Sequence, residues 1–379
     1  MCRIQRFPSC LDNRRCQVGA VCRYWRQCLL ENHALWRVID IQKYTHDSNK
    51  APQILDSITC CVQRSGACLL DIWMTLDSSY GTESGTEGFH SIIDAIIGQD
   101  GGGNVLGRWR RFVFDGRQFP DAPTPWLEYL SLRLASPAPE LQELEFQRCN
   151  IKLPGTSQHP KLTTLRLSRC DITLETTLQS LRSLYLDSYE TLDSTLYTSS
   201  KEFSFWLRFL NSTPLLTHLH LLHYHPSPPS LSKHINLANL TYLDIGAYPL
   251  DFLLHIRCPK LEHLTCNASH HPLPILVLLQ FLYNAPRYGR ILIVGFKGRG
   301  IELSCSALSE ILEDMVSSSV LQEVWFESTM SAEWYAEYFG RSKIMRGRLS
   351  VRSYEDPNQV FACTSSASLD SLVIFPIDL

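Results

Sequence analysis

The chain lacks the spacings and charge excesses that mark many catalytic, metal-binding and nucleic-acid-binding proteins. Its formal net charge is −3 over 379 residues, so no basic excess favours nucleic acid or an anionic membrane. It has 14 cysteines but no Cys-x-x-Cys pair, the spacing of zinc ribbons and dithiol redox sites. Because the chain is neither short nor marked for secretion, we interpret the cysteines as reduced and mostly buried thiols.

Long apolar runs and an apolar leader are also missing. The longest run, 273–282, contains Pro274 and Gln280 and is shorter than the about 20 residues that cross a bilayer. Residues 1–10 carry Arg3 and Arg6 without the apolar segment of a secretory signal. We therefore expect no membrane contact and a cytoplasmic or nuclear location.

Familiar catalytic motifs are absent from the sequence. It contains no P-loop, no GxGxxG, no HExxH and no GxSxG. His218 and His220 would share one face of a strand, where zinc could use them, but a metal site would need a third ligand. We expect no enzymatic activity, no cofactor and no metal.

What the sequence does have is an internal repeat. The pattern Leu-x-x-Leu-x-Leu, with other apolar residues allowed, starts at residues 127, 141, 162, 181, 216, 240 and 261. The intervals are 14, 21, 19, 35, 24 and 21 residues, and most lie near the 20–29-residue period of leucine-rich repeats. Two copies extend to a cysteine, Cys149 or Cys170, in the slot that caps backbone in the next loop. Further copies start at 321 and 369, and weaker ones at Trp109 and Tyr288.

Leu-x-Leu alternation puts leucines on one face of a short strand, and one such unit cannot close a core alone. Stacked repeats would bury the leucine column and expose the other face of the sheet. Helices are expected in the longer intervals, at 203–210, 274–283 and 306–316. The predicted fold class is α/β: an irregular leucine-rich-repeat solenoid, with a curved parallel sheet and helices and loops on its outer face. A small helical N-terminal cap would precede it.

Helical and extended patterns alternate in the first hundred residues. Apolar residues from Val18 to Leu29 keep helical spacing, and Pro52 would open a second helix. Residues 38–41 and 70–76 read as extended, the latter through alternation typical of a strand. A third apolar helical pattern runs from 89 to 97 and would end at the glycines 101–103.

Val21-Cys-Arg-Tyr-Trp25-Arg, followed by Leu35-Trp36, resembles the second half of an F-box, which typically reads V-C-[KR]-x-W-R and then P-x-L-W. Segments 64–72 and 108–112 resemble those that follow the F-box in many basidiomycete proteins. With the repeats, the chain is similar to fungal F-box/leucine-rich-repeat proteins over almost its whole length. The L-P-x-E run that usually opens an F-box does not precede Val18, and we expect the sequence upstream of Met1 to encode it.

The resemblance implies a role in a Skp–cullin–F-box ubiquitin ligase. Val21, Trp25, Leu35 and Trp36 would form the F-box core or contact the Skp-type adaptor. The repeats would recruit a protein substrate, and an alternative is a leucine-rich-repeat scaffold that does not engage the ligase. We divide the chain into a partial F-box-like helical segment, a helix-strand-helix linker and the solenoid. These cover residues 1–45, 46–104 and 105–379.

Residues between the inward leucines point to the exposed face and are the candidate partner-binding positions. Arg, Tyr and Trp are enriched in binding hot spots. The candidates on this concave face are Glu145, Arg166, Tyr185, His220, Tyr242, Asp244 and Trp325. Their mixed charge favours an unknown protein partner over nucleic acid.

Overall fold

Alternating apolar residues form strands with one buried face. In the computed structural model, Leu144 and Phe146 are buried while Glu143, Glu145 and Gln147 between and beside them are partly exposed. The chain divides into a first unit, Met1–Leu181, and a second unit, Arg182–Leu379. The structure describes residues 22–41, 51–76, 83–98, 105–116, 125–153, 159–168, 170–174, 178–187, 209–222, 234–246, 248–267, 277–278, 280–281, 291, 293–297, 323–328, 349–353, 359–362 and 373–376.

The first unit contains a parallel sheet in which strands pair in chain order. Its strands are β1 (Val38–Ile41), β2 (Leu70–Leu76), β3 (Trp109–Gly116), β4 (Glu143–Gln147) and β6 (Thr164–Ser168). Two shorter strands, β5 (Asn150–Leu153) and β7 (Asp171–Leu174), pair parallel in a separate ladder. Strands β1 and β2, which precede the predicted solenoid, thus pair in the same way as the repeat strands.

Helices connect the early strands of the first unit. They are α1 (Arg23–Glu31), α2 (Ala51–Arg64), α3 (Glu83–Ile97) and α4 (Pro125–Leu134), with short 3-10 helices at His33–Trp36 and Leu106–Arg108. Helices α2, α3 and α4 each lie between two parallel strands, as a parallel connection requires. Ile58 of α2, Ile93 of α3 and Leu130 of α4 are fully buried, so one stripe of each helix belongs to the core.

The second unit repeats the same parallel pairing. Its strands are β8 (Ser183–Asp187), β9 (His218–Leu222), β11 (Tyr242–Gly246), β13 (His263–Asn267), β14 (Ile293–Lys297), β15 (Glu323–Ser328) and β16 (Leu349–Ser353). Strands β17 (Gln359–Ala362) and β18 (Val373–Pro376) follow in antiparallel pairing. A 3-10 helix, Tyr248–His255, lies between β10 (Ile235–Asn236) and β12 (Ile256–Arg257), which form a small parallel ladder.

A tight turn precedes the strands of both units. In six of the motifs the first leucine donates its backbone N–H to the carbonyl oxygen three residues earlier, at 3.1–3.2 Å. These turns run 138–141, 159–162, 178–181, 213–216, 237–240 and 258–261. Proline occupies the second turn position at 139, 160, 214 and 259, where its fixed φ suits a type I turn. The first turn residue is buried in every case, so the turn is part of the core.

One predicted strand copy is wrong. Leu127-Leu130-Leu132 lies in helix α4, where Leu127, Leu130 and Leu134 are buried and Leu132 is 67% exposed. Leucines three residues apart lie on one face of a helix, and the same spacing also opens a repeat. Here Leu134, four residues after Leu130, continues the helical spacing. Pro125 at the first helical position favours this outcome.

Two further copies need correction. The weak copy at Tyr288-Ile291-Ile293 is displaced, because Val294 pairs with Leu264 and Ile293 pairs with the outward His263. The repeat therefore reads Ile291-x-x-Val294-x-Phe296. The copy at 369–374 is not a parallel repeat strand, since β18 pairs antiparallel with β17.

The predicted early helices are confirmed with changed ends. Helix α3 ends at Ile97 before Gly98, whose φ of 81° suits glycine and terminates the helix ahead of residues 101–103. Helix α1 begins at Arg23, because Cys22 is extended and its Sγ accepts the Trp25 N–H at 3.5 Å. Among the predicted connectors, 306–316 lies outside the described residues, as do most of 203–210 and 274–283.

The described residues contain no helix long and apolar enough to cross a membrane.

The predicted fold class is confirmed at the level of an α/β protein built on parallel sheet. The sequence-based division at residues 45 and 104 stays a prediction.

Candidate protein-binding face

Backbone register brings the second-unit candidates into two adjacent rows. Tyr185 pairs with His220, and His220 pairs with Asp244. From Asp244 the same row continues through Thr265 and Gly295 to Trp325. Tyr242 lies in the neighbouring row, between His218 and His263. The aromatic–histidine cluster is defined here as Tyr185, His218, His220, Tyr242, Asp244 and His263.

The rings of this cluster contact one another across the strands. Tyr185 and His220 stack with centroids 4.1 Å apart and planes 16° apart. Tyr242 lies 5.1 Å from His220, 5.7 Å from His218 and 6.1 Å from His263. Cross-strand ring pairs of this kind fix side-chain orientation, so the cluster presents a preordered aromatic surface.

Asp244 is the buried charge of the cluster. It is only 5% exposed, and its Oδ2 lies 3.4 Å from Nδ1 of His220. Its Oδ1 is buried and accepts a hydrogen bond from no described residue. A buried carboxylate oxygen without a donor is costly, so this atom is where the cluster can gain most from an added donor.

His218 is neutral over a wider pH range than an ordinary histidine. Partial burial, followed by the positive charge that His220 and His263 can carry, lowers its pKa. Its Nδ1 lies 2.9 Å from the Oγ1 of Thr217, a contact whose donor depends on the tautomer. The cluster at neutral pH therefore includes an uncharged imidazole.

The first-unit face carries its own cation. The guanidinium of Arg111 lies 4.4 Å from the ring centroid of Trp73, and its Nε lies 3.1 Å from Glu143. Its Nη2 lies 3.4 Å from Glu145, which also accepts a 2.7 Å hydrogen bond from Gln147. The candidate Glu145 is therefore part of a network within the unit.

Arg166 lies directly opposite Glu145 in the register of β4 and β6. The structure thus brings the two first-unit candidates together. The five candidates of the second unit form their own rows, and Trp325 is placed there by strand register.

The F-box-like residues differ sharply in exposure. Trp36 is 2% exposed, donates its Nε1–H to the Leu29 carbonyl oxygen at 2.7 Å and has Arg64 over its ring at 4.6 Å. Trp25 and Leu35 are 52% and 45% exposed. Trp36 is therefore a core residue, whereas Trp25 and Leu35 are accessible, and Val21 lies outside the described residues.

The two cysteines of the extended motif occupy equivalent places. Cys149 is buried, and its Sγ lies 3.8 Å from that of Cys170, which donates to the Ser168 carbonyl oxygen at 3.2 Å. Both are free thiols. Burial raises the pKa of the Cys149 thiol well above its ordinary value, so it acts as a small apolar residue.

Sequence reasoning missed Trp73 and Arg111 as outward residues. The signal for Trp73 was present, since it alternates with the inward Ile72 and Met74. Arg111 was harder to place because a bulge lets Asp71 pair with Arg111 and leaves Arg110 unpaired in the register. Arg110 turns to Asp71, donating its Nε–H to Oδ1 at 2.8 Å.

The cluster has the residue types of a contact surface. Within the described ranges, no group of three or more His, Cys, Asp or Glu side chains is arranged to hold a metal ion. Neither the known protein-family models nor the curated proteins give a match to this chain.

Proposed function

We propose that the chain is a leucine-rich-repeat protein-binding module and serves as the substrate receptor of a Skp–cullin–F-box ubiquitin ligase. The observation that carries the proposal is the aromatic–histidine cluster on the outward rows of a parallel, one-strand-per-repeat sheet. Preordered tyrosine rings on the face that also carries a buried carboxylate offer area and orientation at low entropic cost.

Three recurring structural features support the leucine-rich-repeat assignment. The strands recur in parallel register, a buried leucine occupies the same position in the six strands β4, β6, β8, β9, β11 and β13, and a hydrogen-bonded turn precedes each of six motifs. The small ladders β5–β7 and β10–β12 recur beside the main strands. A solenoid in which each repeat buries the apolar face of its neighbour accounts for all of these features.

Exposure of Trp25 and Leu35 supports the adaptor part of the proposal. Two large apolar side chains on and just after helix α1 remain accessible, while the neighbouring Trp36 is anchored in the core. Large apolar side chains left exposed to solvent favour a protein contact. The receptor would act by holding its substrate near a conjugating enzyme and would form no bond itself.

Association with the ligase is tested by co-purifying the full chain with a Skp-type adaptor and a cullin. Trp25→Ala with Leu35→Ala should abolish adaptor binding and leave the unfolding midpoint near that of the wild type. Leu132→Ala removes another exposed leucine and is the matched control. Absence of association at micromolar concentrations of the wild-type chain contradicts the ligase assignment and leaves the alternative, a free repeat scaffold.

The binding face is tested separately. Replacing Tyr185, Tyr242 and Trp325 together by alanine should release the captured protein substrate while adaptor binding persists. Retention of every captured substrate by this variant would show that the outward rows are not the contact surface.

A further inference from the structure

On the outward face of the first unit, an aromatic ring and two carboxylates bind a guanidinium of the same chain. Arg111 covers the ring of Trp73 at 4.4 Å and lies 3.1 Å from Glu143 and 3.4 Å from Glu145. A planar cation gains from both partners, since it stacks on the ring and donates to the carboxylates. Trp73 is still 37% exposed, so this arrangement stands at the surface.

The second-unit face has the ring and the carboxylate on four strands that carry no outward lysine or arginine, and Lys297 on β14 and Arg352 on β16 follow in its outward rows. Its outward positions on β8, β9, β11 and β13 include Tyr185, Tyr242 and Asp244, and none of them is a lysine or arginine. Asp187 adds a second acidic side chain on β8. On these four strands the charge of the outward positions at neutral pH is therefore negative apart from any protonated histidine.

One carboxylate oxygen of Asp244 can accept a further hydrogen bond. Oδ2 lies 3.4 Å from Nδ1 of His220, whereas the buried Oδ1 has no hydrogen-bond donor among the described residues. Native proteins seldom leave a buried carboxylate oxygen in this state. Tyr242 lies on the same strand two residues before Asp244, so both belong to the outward positions of β11.

We propose that the protein partner of the second unit inserts an arginine side chain into the aromatic–histidine cluster, where its guanidinium donates to Oδ1 of Asp244 and stacks against a tyrosine ring. The inference rests on the proposed function, which it deepens by giving the chemistry of the bound segment. Arginine fits better than lysine, because a planar cation with several N–H donors can contact a ring and a carboxylate at once. The partner segment supplies in the second unit the group that Arg111 supplies in the first.

The test measures binding of a fluorescent Gly/Ser peptide with spaced arginines to the full chain, by anisotropy at low salt. A matched peptide carries citrulline, which keeps the shape of arginine and removes its charge. The wild-type chain should bind the arginine peptide at least about tenfold more tightly than the citrulline peptide. A glutamate version should bind no better than citrulline.

Two variants of the chain locate the contact. Asp244→Asn should weaken arginine-peptide binding about tenfold, whereas Asp187→Asn, which removes the same charge from the same face, should change it less than about threefold. Tyr242→Leu should also weaken binding of the arginine peptide. This variant tests the same contact if Asp244→Asn lowers stability. Thermal unfolding of each variant accompanies the binding curve.

Equal binding of arginine and citrulline peptides overturns the inference, and so do equal effects of Asp187→Asn and Asp244→Asn. The assay needs neither adaptor nor cullin, so failure of the ligase assignment does not affect it. Loss of substrate in the triple alanine variant, combined with no preference for arginine, would keep the binding face and reject its cationic ligand.

Discussion

The two units share one way of building a core and differ in what they place on the outward face. Leu165 of β6 and Leu219 of β9 are both fully buried at equivalent strand positions. On the outward face, the first unit has an aromatic ring and carboxylates already paired with Arg111. The second unit has tyrosines, histidines and the partly unsatisfied Asp244.

The difference indicates that the repeat specifies the scaffold and leaves the outward face to function. Inward positions must be apolar for repeats to stack, so they read alike in both units. Outward positions are under no such demand. The ion pairs of Arg111 stabilise the face on which they lie. A buried carboxylate oxygen without a donor gains a hydrogen bond only when another molecule supplies the donor.

The largest expected effects concern what the units share. Leu165→Ala and Leu219→Ala should each lower the free energy of unfolding by about 2–5 kcal/mol, because each removes a fully buried leucine and leaves a cavity. Urea unfolding followed by circular dichroism measures both. A loss below about 1 kcal/mol in only one unit would show that the two cores are not built alike.

The next effect concerns the first-unit network. Arg111→Ala should lower the free energy of unfolding by about 1 kcal/mol, since it removes two partly exposed ion pairs and the contact with Trp73. The variant should also gain affinity for the arginine peptide, because a ring and two carboxylates lose their cation. Arg111→Lys is the control and should show a smaller gain. An unchanged affinity in Arg111→Ala would break the analogy between the units.

The converse substitution makes the second unit resemble the first. His263→Arg places a guanidinium beside Tyr242, whose ring lies 6.1 Å from that of His263. It should weaken arginine-peptide binding about tenfold by occupying the aromatic surface and repelling the incoming cation. His263→Gln removes the imidazole without adding charge and should have a lesser effect. Tighter binding by His263→Arg would contradict the account.

The smallest expected effect is a pH dependence confined to the second unit. Because the pKa of His218 is lowered in the fold, the unfolded chain binds its proton more readily, and stability falls as pH drops below about 6.5. His218→Gln should reduce this acid sensitivity between about pH 7 and 5.5 without changing stability at neutral pH. Urea midpoints across this range provide the measurement. An acid sensitivity as large as that of the wild type would exclude His218 as its source.

The parallel strands could be predicted because their period is local. The six positions of the motif Leu216-x-x-Leu219-x-Leu221 identify the residues that are buried in and just before β9. Helix α4 could not be separated from a repeat by the same pattern, because Leu127 and Leu130 satisfy both periods. The proline of the turns does not separate them either, because Pro125 stands two residues before Leu127 just as Pro160 stands two residues before Leu162.

The candidate site was predictable in its members but not in its energetics. Alternation placed Tyr185, His220 and Asp244 on the outward face, and strand register brings them into one row. The burial of Asp244 and the lack of a donor to Oδ1 depend on neighbouring strands far apart in sequence. The same holds for the contact of Arg111 with Trp73, which arises from a bulge and two distant segments.

The most direct measurement of the central claim is an NMR spectrum of the arginine peptide, isotope-labelled in its guanidinium groups and side chains, with and without the full chain. A guanidinium stacked on a tyrosine ring and bonded to Asp244 should show upfield side-chain proton shifts and slowed exchange of its Nε–H. These changes should persist with Asp187→Asn and vanish with Asp244→Asn. Unshifted arginine signals at saturating wild-type chain, or the same shifts with Asp244→Asn, would contradict the account.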